Sequence, residues 1–283
     1  MPQKTNLNIS PYYDDFNKDK NFYKVLFKPG YPVQARELTG LQSLLQNQVE
    51  SFGKHIFKEG SMVIPGSIEL DNSYFAAKIN DTHLGIDVSV YLNEIIASNG
   101  GRGIRVRGQS SGTVAVIKNF ILPPAEGVEN ITIFVKYQQS GTDGESAAFP
   151  DGEILVLEEP LTYGNTTLTI GETVLTLVSE DATATGTAFG VQAGIYFLRG
   201  SFVDVPASLI ILEPYSITPS YRIGFDVSEE IINSNDDPSL YDNAKGFTNF
   251  AAPGADRFKI SVKLAKKALD DYEDTNFVEL MRT

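Results

Sequence analysis

The sequence predicts a mainly β protein, α+β by count, in which antiparallel sandwich or barrel-like modules follow an extended N-terminal arm and one long α-helix. Three observations carry this. A single stretch, QARELTGLQSLLQNQVESFGKHIF, has helical periodicity; from residue 60 onward the period falls to two; and Gly, Pro, Asn and Asp punctuate the runs that follow. Four segments result: an aromatic arm over residues 1–33, the helix over 34–58, a β-rich body of one or two modules over 59–250, and a C-terminal strand and linker over 251–283.

The arm holds Tyr12, Tyr13, Phe16, Phe22 and Tyr23 among Asp, Asn and Lys with no helical period. Rings spaced this way bury large apolar area at low entropic cost, either on their own domain or on a neighbour, which makes them candidate partner-anchoring residues. Pro29, Gly30 and Pro32 then end the arm in a turn.

On the helix, at 100° per residue, Leu38, Leu41, Leu45, Val49, Phe52 and Ile56 share an arc of roughly 80°. Their spacing approximates a heptad with one slip after Leu45, with Gln34 on the same line and Gln48 at its border. A stripe this narrow fits two arrangements. It can lie on a sheet of its own chain, or it can be a seam between copies in which Gln34 and Gln48 fix register.

IRVRG, GTVAVIKNF, ITIFVKY, GEILVLEE, TTLTI, TVLTLV, GIYFLRGSFVDV and SLIILEPY read as strands, rich in Val, Ile, Tyr and Phe. LGIDVSVYLNEIIASNG is the exception, with a short helix expected towards its end. Near the C-terminus, the segment DDPSLYDNAKGFTNFAAPGADRFKISVKL is a long loop delivering a strand over residues 258–264. The chain closes on the apolar run FVELM, and it is expected to continue into a longer polypeptide or to dock on a partner.

Composition argues against several chemistries. With no cysteine and two histidines, His55 and His83, a usual zinc site has too few ligands. The net charge of -13 repels phosphate backbones, so no nucleic-acid partner is expected. No run of apolar residues is long enough for a membrane-spanning helix. GQSSG at residues 108–112 fits G-x-S-x-G, yet both histidines precede Ser110 and a strand follows it, so a turn is expected in place of a nucleophile elbow. GRGIRVRG lacks the strand-then-helix setting of a phosphate loop, and the acidic runs DDYED and SNDDPS do not define a glycosidase pair. No catalytic residue, cofactor or metal is therefore expected.

Three blocks of sequence carry a resemblance. They are the arm with PGYPVQARELT and the LQ-rich helix; GQSSGTVAVI through GEIL; and GIYFLRGSFVDV through NFAAPGADRFKISVKL. Together they resemble the N-terminal module of tail-fibre or baseplate structural proteins of tailed phages of the T4-like and cyanophage kind, a DUF4815-like group. The resemblance implies a virion protein of the phage tail, assembled in the host cytoplasm, which works mechanically as a homotrimer bound to other tail or baseplate proteins. It favours the seam between copies for the helix. Two other functions are weighed beside it: a host-surface glycan-binding module using loops around Tyr163 and Asn165, and a polysaccharide depolymerase.

Overall fold

The computed structural model describes residues 3–64, 66–124 and 128–283. In chain order the elements are α1 (Ala35–Ile56), β1 (Met62–Ile64), β2 (Ile68–Ile79), β3 (Thr82–His83), β4 (Ile86–Asp87) and α2 (Ser89–Gly101). Next come β5 (Arg105–Gly108), β6 (Val114–Ile121), β7 (Ile131–Gln139), β8 (Ile154–Leu157), β9 (Leu161–Tyr163), β10 (Thr166–Leu168) and β11 (Thr173–Thr176). The rest are β12 (Thr183–Val191), β13 (Gly194–Leu198), β14 (Ser201–Val205), β15 (Ser208–Glu213), β16 (Tyr221–Ile232), β17 (Arg257–Ala268) and β18 (Phe277–Arg282). Strand exceeds helix by 40% to 15%, so the fold is mainly β. The sheets are open, and the described residues form no closed barrel.

Two compact units form, and neither is continuous in sequence. The first takes the chain up to Ile68, Val191–Ser208 and Ser220–Thr283; the second takes Glu69–Gly190 and Leu209–Pro219.

The second unit is built on an eight-stranded sheet in the order β11-β8-β5-β6-β7-β2-β12-β15. Alternation divides its buried residues between two faces. Ala77, Ile79, Ile133 and Val135 join the larger core, while Ala76 and Phe134 join Tyr74 and Ala188 on the other side. That is why ITIFV in β7 is buried at every position, with Thr132 its one polar side chain. The predicted short helix is α2, which covers the larger core with Tyr91, Leu92 and Ile95. The hydroxyl of Tyr91 donates to the carbonyl of Val174 at 2.7 Å, satisfying the one polar group this ring brings inside.

The first unit holds two three-stranded sheets, β1-β13-β14 and β17-β16-β18, together with α1 and the arm. GIYFLRGSFVDV, expected as one strand, is a hairpin. Arg199 and Gly200 both have positive φ, 53° and 73°, which is the geometry a two-residue turn needs to match the twist of its strands. The strand expected at residues 258–264 runs longer, pairing with β16 from Arg257 to Ala268. Alternation continues through the lysines, which kept the polar half of this strand from standing out. Tyr196 and Phe225 meet edge to face at 5.0 Å in the core of this unit.

Helix α1 packs against β14, and apart from Leu44 its buried face is small and polar. Its buried positions are Leu44, Asn47, Glu50 and Gly53. Gly53 sits directly on the ring of Phe197, so close that a Cβ would overlap it. At an exposed helical position, Gly→Ala stabilises by about 1 kcal/mol. Here Gly53→Ala is expected to destabilise by about 1–3 kcal/mol, because the ring is itself packed against Phe57 and Phe202 and has little room to yield. Urea unfolding of the two proteins decides the sign.

Candidate interaction site

The apolar ridge of α1 points away from its own unit. Leu38, Leu45, Val49, Phe52 and Ile56 are 52%, 61%, 42%, 65% and 56% exposed, and Gln34 and Gln48 are exposed with them. Leu41 is half-buried. On the helical wheel the buried row is centred about 170° from the ridge. The helix thus turns Asn47 and Glu50 inward, with Leu44 beside them, and Leu38, Leu45, Val49, Phe52 and Ile56 outward, largely the reverse of a helix laid on its own core.

The inward face is held by specific contacts. Gln46 donates to the carbonyl of Gly200 and to Oγ of Ser201, both at 3.0 Å, gripping the turn of the β13–β14 hairpin. Ser43 donates to the buried carboxylate of Asp14, and Glu50 pairs with Lys54 at 2.8 Å. At the N-terminus, Glu37 accepts from the backbone N–H of Gln34 at 2.9 Å, completing a capping box.

The arm divides into two halves. Its inner half is fastened to its own unit. Glu229 on β16 accepts from the N–H of Lys4 at 3.0 and 2.9 Å, and from the N–H and hydroxyl of Thr5, each at 2.7 Å. Nζ of Lys4 reaches Oγ1 of Thr275 at 2.7 Å and Oδ1 of Asn276 at 2.8 Å, and Tyr12 donates to Asp256. Tyr12 and Phe16 are half-buried here, while Tyr13 stands 57% exposed. In the outer half, Phe22, Tyr23, Leu26 and Tyr31 are 65% to 82% exposed.

Other sequence candidates are absorbed by structure. GQSSG forms a turn around the carboxylate of Glu153, which accepts from the N–H and hydroxyl of Ser110 at 2.8 and 2.9 Å and from the N–H of Ser111 at 3.2 Å. Burial pushes that carboxyl up, but the donation from Ser110 and Ser111 outweighs it and leaves it below the usual glutamate value. His83 lies between the hydroxyls of Thr176 and Thr173, at 2.9 and 3.0 Å, and burial lowers its basicity. His55 is exposed at the end of α1. Tyr163 is half-buried with its ring 5.2 Å from that of Tyr91, leaving Asn165 exposed beside it.

A cleft of about 630 Å³ in the second unit has Glu69, Asp71, Tyr74, Lys118 and Lys136 on its walls. Burial raises the Tyr74 hydroxyl to about 12, so it keeps its proton at neutral pH. Lys118 donates to the carbonyl of Arg102 at 2.6 Å, and Asp71 is occupied by Ser73. Among the described residues, no group of three or more His, Asp or Glu side chains is placed to hold a metal, and no helix is long and apolar enough to cross a membrane.

The Glu229 clasp has a pH signature. Burial raises this carboxyl, but the donors on Lys4 and Thr5 and the charge of Arg199 outweigh it and hold it below its usual value. Its stabilisation is therefore complete above the unfolded glutamate value of about 4.3 and is lost as pH falls through the lower, folded value. Glu229→Gln is expected to cost about 1–3 kcal/mol at neutral pH. The gap between variant and wild type should close in acid, as read from urea midpoints at a series of pH values; a gap independent of pH contradicts the clasp.

No curated protein and no solved structure matches the chain. One family model does, over residues 10–147 and 164–282, and its description is a domain of unknown function. The match takes in the outer arm, the ridge of α1 and the last strands together. The chain belongs to the DUF4815 family.

Proposed function

We propose that this protein is a structural component of a bacteriophage tail, in the baseplate or at the base of a tail fibre, and that it assembles as a homo-oligomer through α1. The observation that carries the reading is the orientation of that helix. Burying a leucine or phenylalanine fully is worth roughly 1.5–3 kcal/mol, and the chain alone forgoes about half of this at five positions while it buries Asn47 and Glu50. A second surface that covers the ridge recovers that free energy.

The heptad-like spacing favours a parallel bundle, in which Leu38, Leu41, Leu45, Val49, Phe52 and Ile56 interdigitate with their symmetry mates, and Gln34 and Gln48 fix the register. Three copies suit the base of a fibre. Affinity then comes from apolar area and from repeated copies, and tail proteins of other kinds are the further partners. The tail assignment itself rests on the resemblance carried by the arm, PGYPVQARELT and NFAAPGADR.

Light scattering on the purified chain tests the assembly. The expected wild-type mass is a multiple of 31.0 kDa, threefold for the trimer, falling to a single copy in a Leu45→Asp, Phe52→Asp variant with unchanged circular dichroism. Both side chains are exposed, so the variant keeps its fold. A monomeric wild type contradicts the assembly. Antibodies against the chain are expected to decorate purified tails of a phage that encodes it, and decoration of capsids alone would contradict the location.

A further inference from the structure

The ridge by itself is a small interface. Its five well-exposed side chains, at roughly 100 Å² apiece, fall short of the about 800 Å² per partner that a stable association buries. The missing area lies next to it. Residues 21–33 add Phe22, Tyr23, Leu26, Phe27, Tyr31 and Val33, exposed by 65%, 69%, 82%, 47%, 68% and 54%. This is more apolar side chain than the ridge itself presents, displayed over thirteen residues with no strand partner and no buried position.

The segment is held at both ends. Upstream, Tyr12 is tied to Asp256, and Asp14 is tied to Ser43 and to the N–H of Phe16, the last at 3.1 Å. Downstream, the chain enters α1 through the capping box of Gln34 and Glu37. Between these anchors the arm runs beside the helix, where Phe16, Phe22 and Val25 line a groove of about 290 Å³ together with Glu37, Gly40 and Leu44. On the wheel, Glu37 and Leu44 lie within roughly 60° of Leu41 at the edge of the ridge, while Arg36 and Gly40 lie further round towards the buried face, so the arm forms a shoulder on that flank of the helix. A tethered loop loses less entropy on docking than a free tail does.

We infer that residues 21–33 form the second half of the α1 interface and lie over a neighbouring copy of this chain. The neighbour's ridge seats between the first copy's ridge and its aromatic shoulder, and the rings of Phe22, Tyr23 and Phe27 close over it. A second copy is the occupant because the arm flanks the helix that carries the ridge and because the two together reach the area a stable assembly needs. This inference rests on the proposed pairing through α1.

The test measures the association constant of three proteins by sedimentation: wild type, the ridge variant Leu45→Asp with Phe52→Asp, and an arm variant carrying Phe22→Ser, Tyr23→Ser, Leu26→Ser and Phe27→Ser. All four arm side chains are exposed, and circular dichroism and the urea midpoint are expected to stay at the wild-type values in dilute, monomeric solution. The inference expects association of the arm variant to weaken by at least about tenfold. An arm variant that associates as wild type does, while the ridge variant is monomeric, overturns the arm's role and leaves the ridge pairing standing. A wild type that is monomeric throughout overturns both.

Discussion

The first unit depends on the way α1 is seated. Gly53 lets the helix settle onto Phe197, and the loss of side-chain volume at that point brings the backbone close enough for Gln46 to grip the Gly200 turn. Once this contact sets the rotation of the helix, everything else about it follows from the 3.6-residue period. Asn47 and Glu50 go inside, and Leu45, Val49 and Phe52 go out. A larger residue at position 53 would have to lift or roll the helix.

Inward polar groups carry a desolvation cost, and the structure shows how part of it is offset. Glu50 is paired with Lys54 from the next turn, and Asp14 is satisfied by Ser43 and the N–H of Phe16. The same logic recurs at Glu229, which is buried with donors from Lys4 and Thr5, and at Glu153, which fills the GQSSG turn. In each case a carboxylate acts as a local fastener. Such groups specify one arrangement among the many that apolar contact alone would permit.

Periodicity made the ridge and most strands legible from residues alone. The six positions from Leu38 to Ile56 and the β runs from IRVRG to SLIILEPY, GIYFLRGSFVDV apart, fall where their spacing places them, whereas the long strands β2 and β16 lie outside those runs. What periodicity could not express is direction. A narrow apolar stripe looks the same whether it faces a sheet or faces outward, and only the partner of Gly53, a residue distant in sequence, distinguishes the two. The clasp on Glu229 joins residues 224 and 225 positions apart, so no local pattern announces it. Likewise the arm reads as one aromatic segment, although Tyr12 has a distant acceptor in Asp256 and is half-buried while Phe22 stands exposed. The hairpin within GIYFLRGSFVDV hid because Arg199, at positive φ, is not a usual turn residue.

The central claim is that the outward ridge of α1 meets the same ridge in another copy. Because the chain has no cysteine, a single Val49→Cys substitution reports on this directly under mild oxidation. The account predicts rapid conversion of about two chains in three to a disulfide-linked pair, since equivalent positions on a parallel three-fold seam face each other and the third thiol is left without a partner, with no such product from Asn165→Cys in the second unit. A Val49→Cys protein that remains single-chain, oxidising no faster than the Asn165→Cys control, would contradict it.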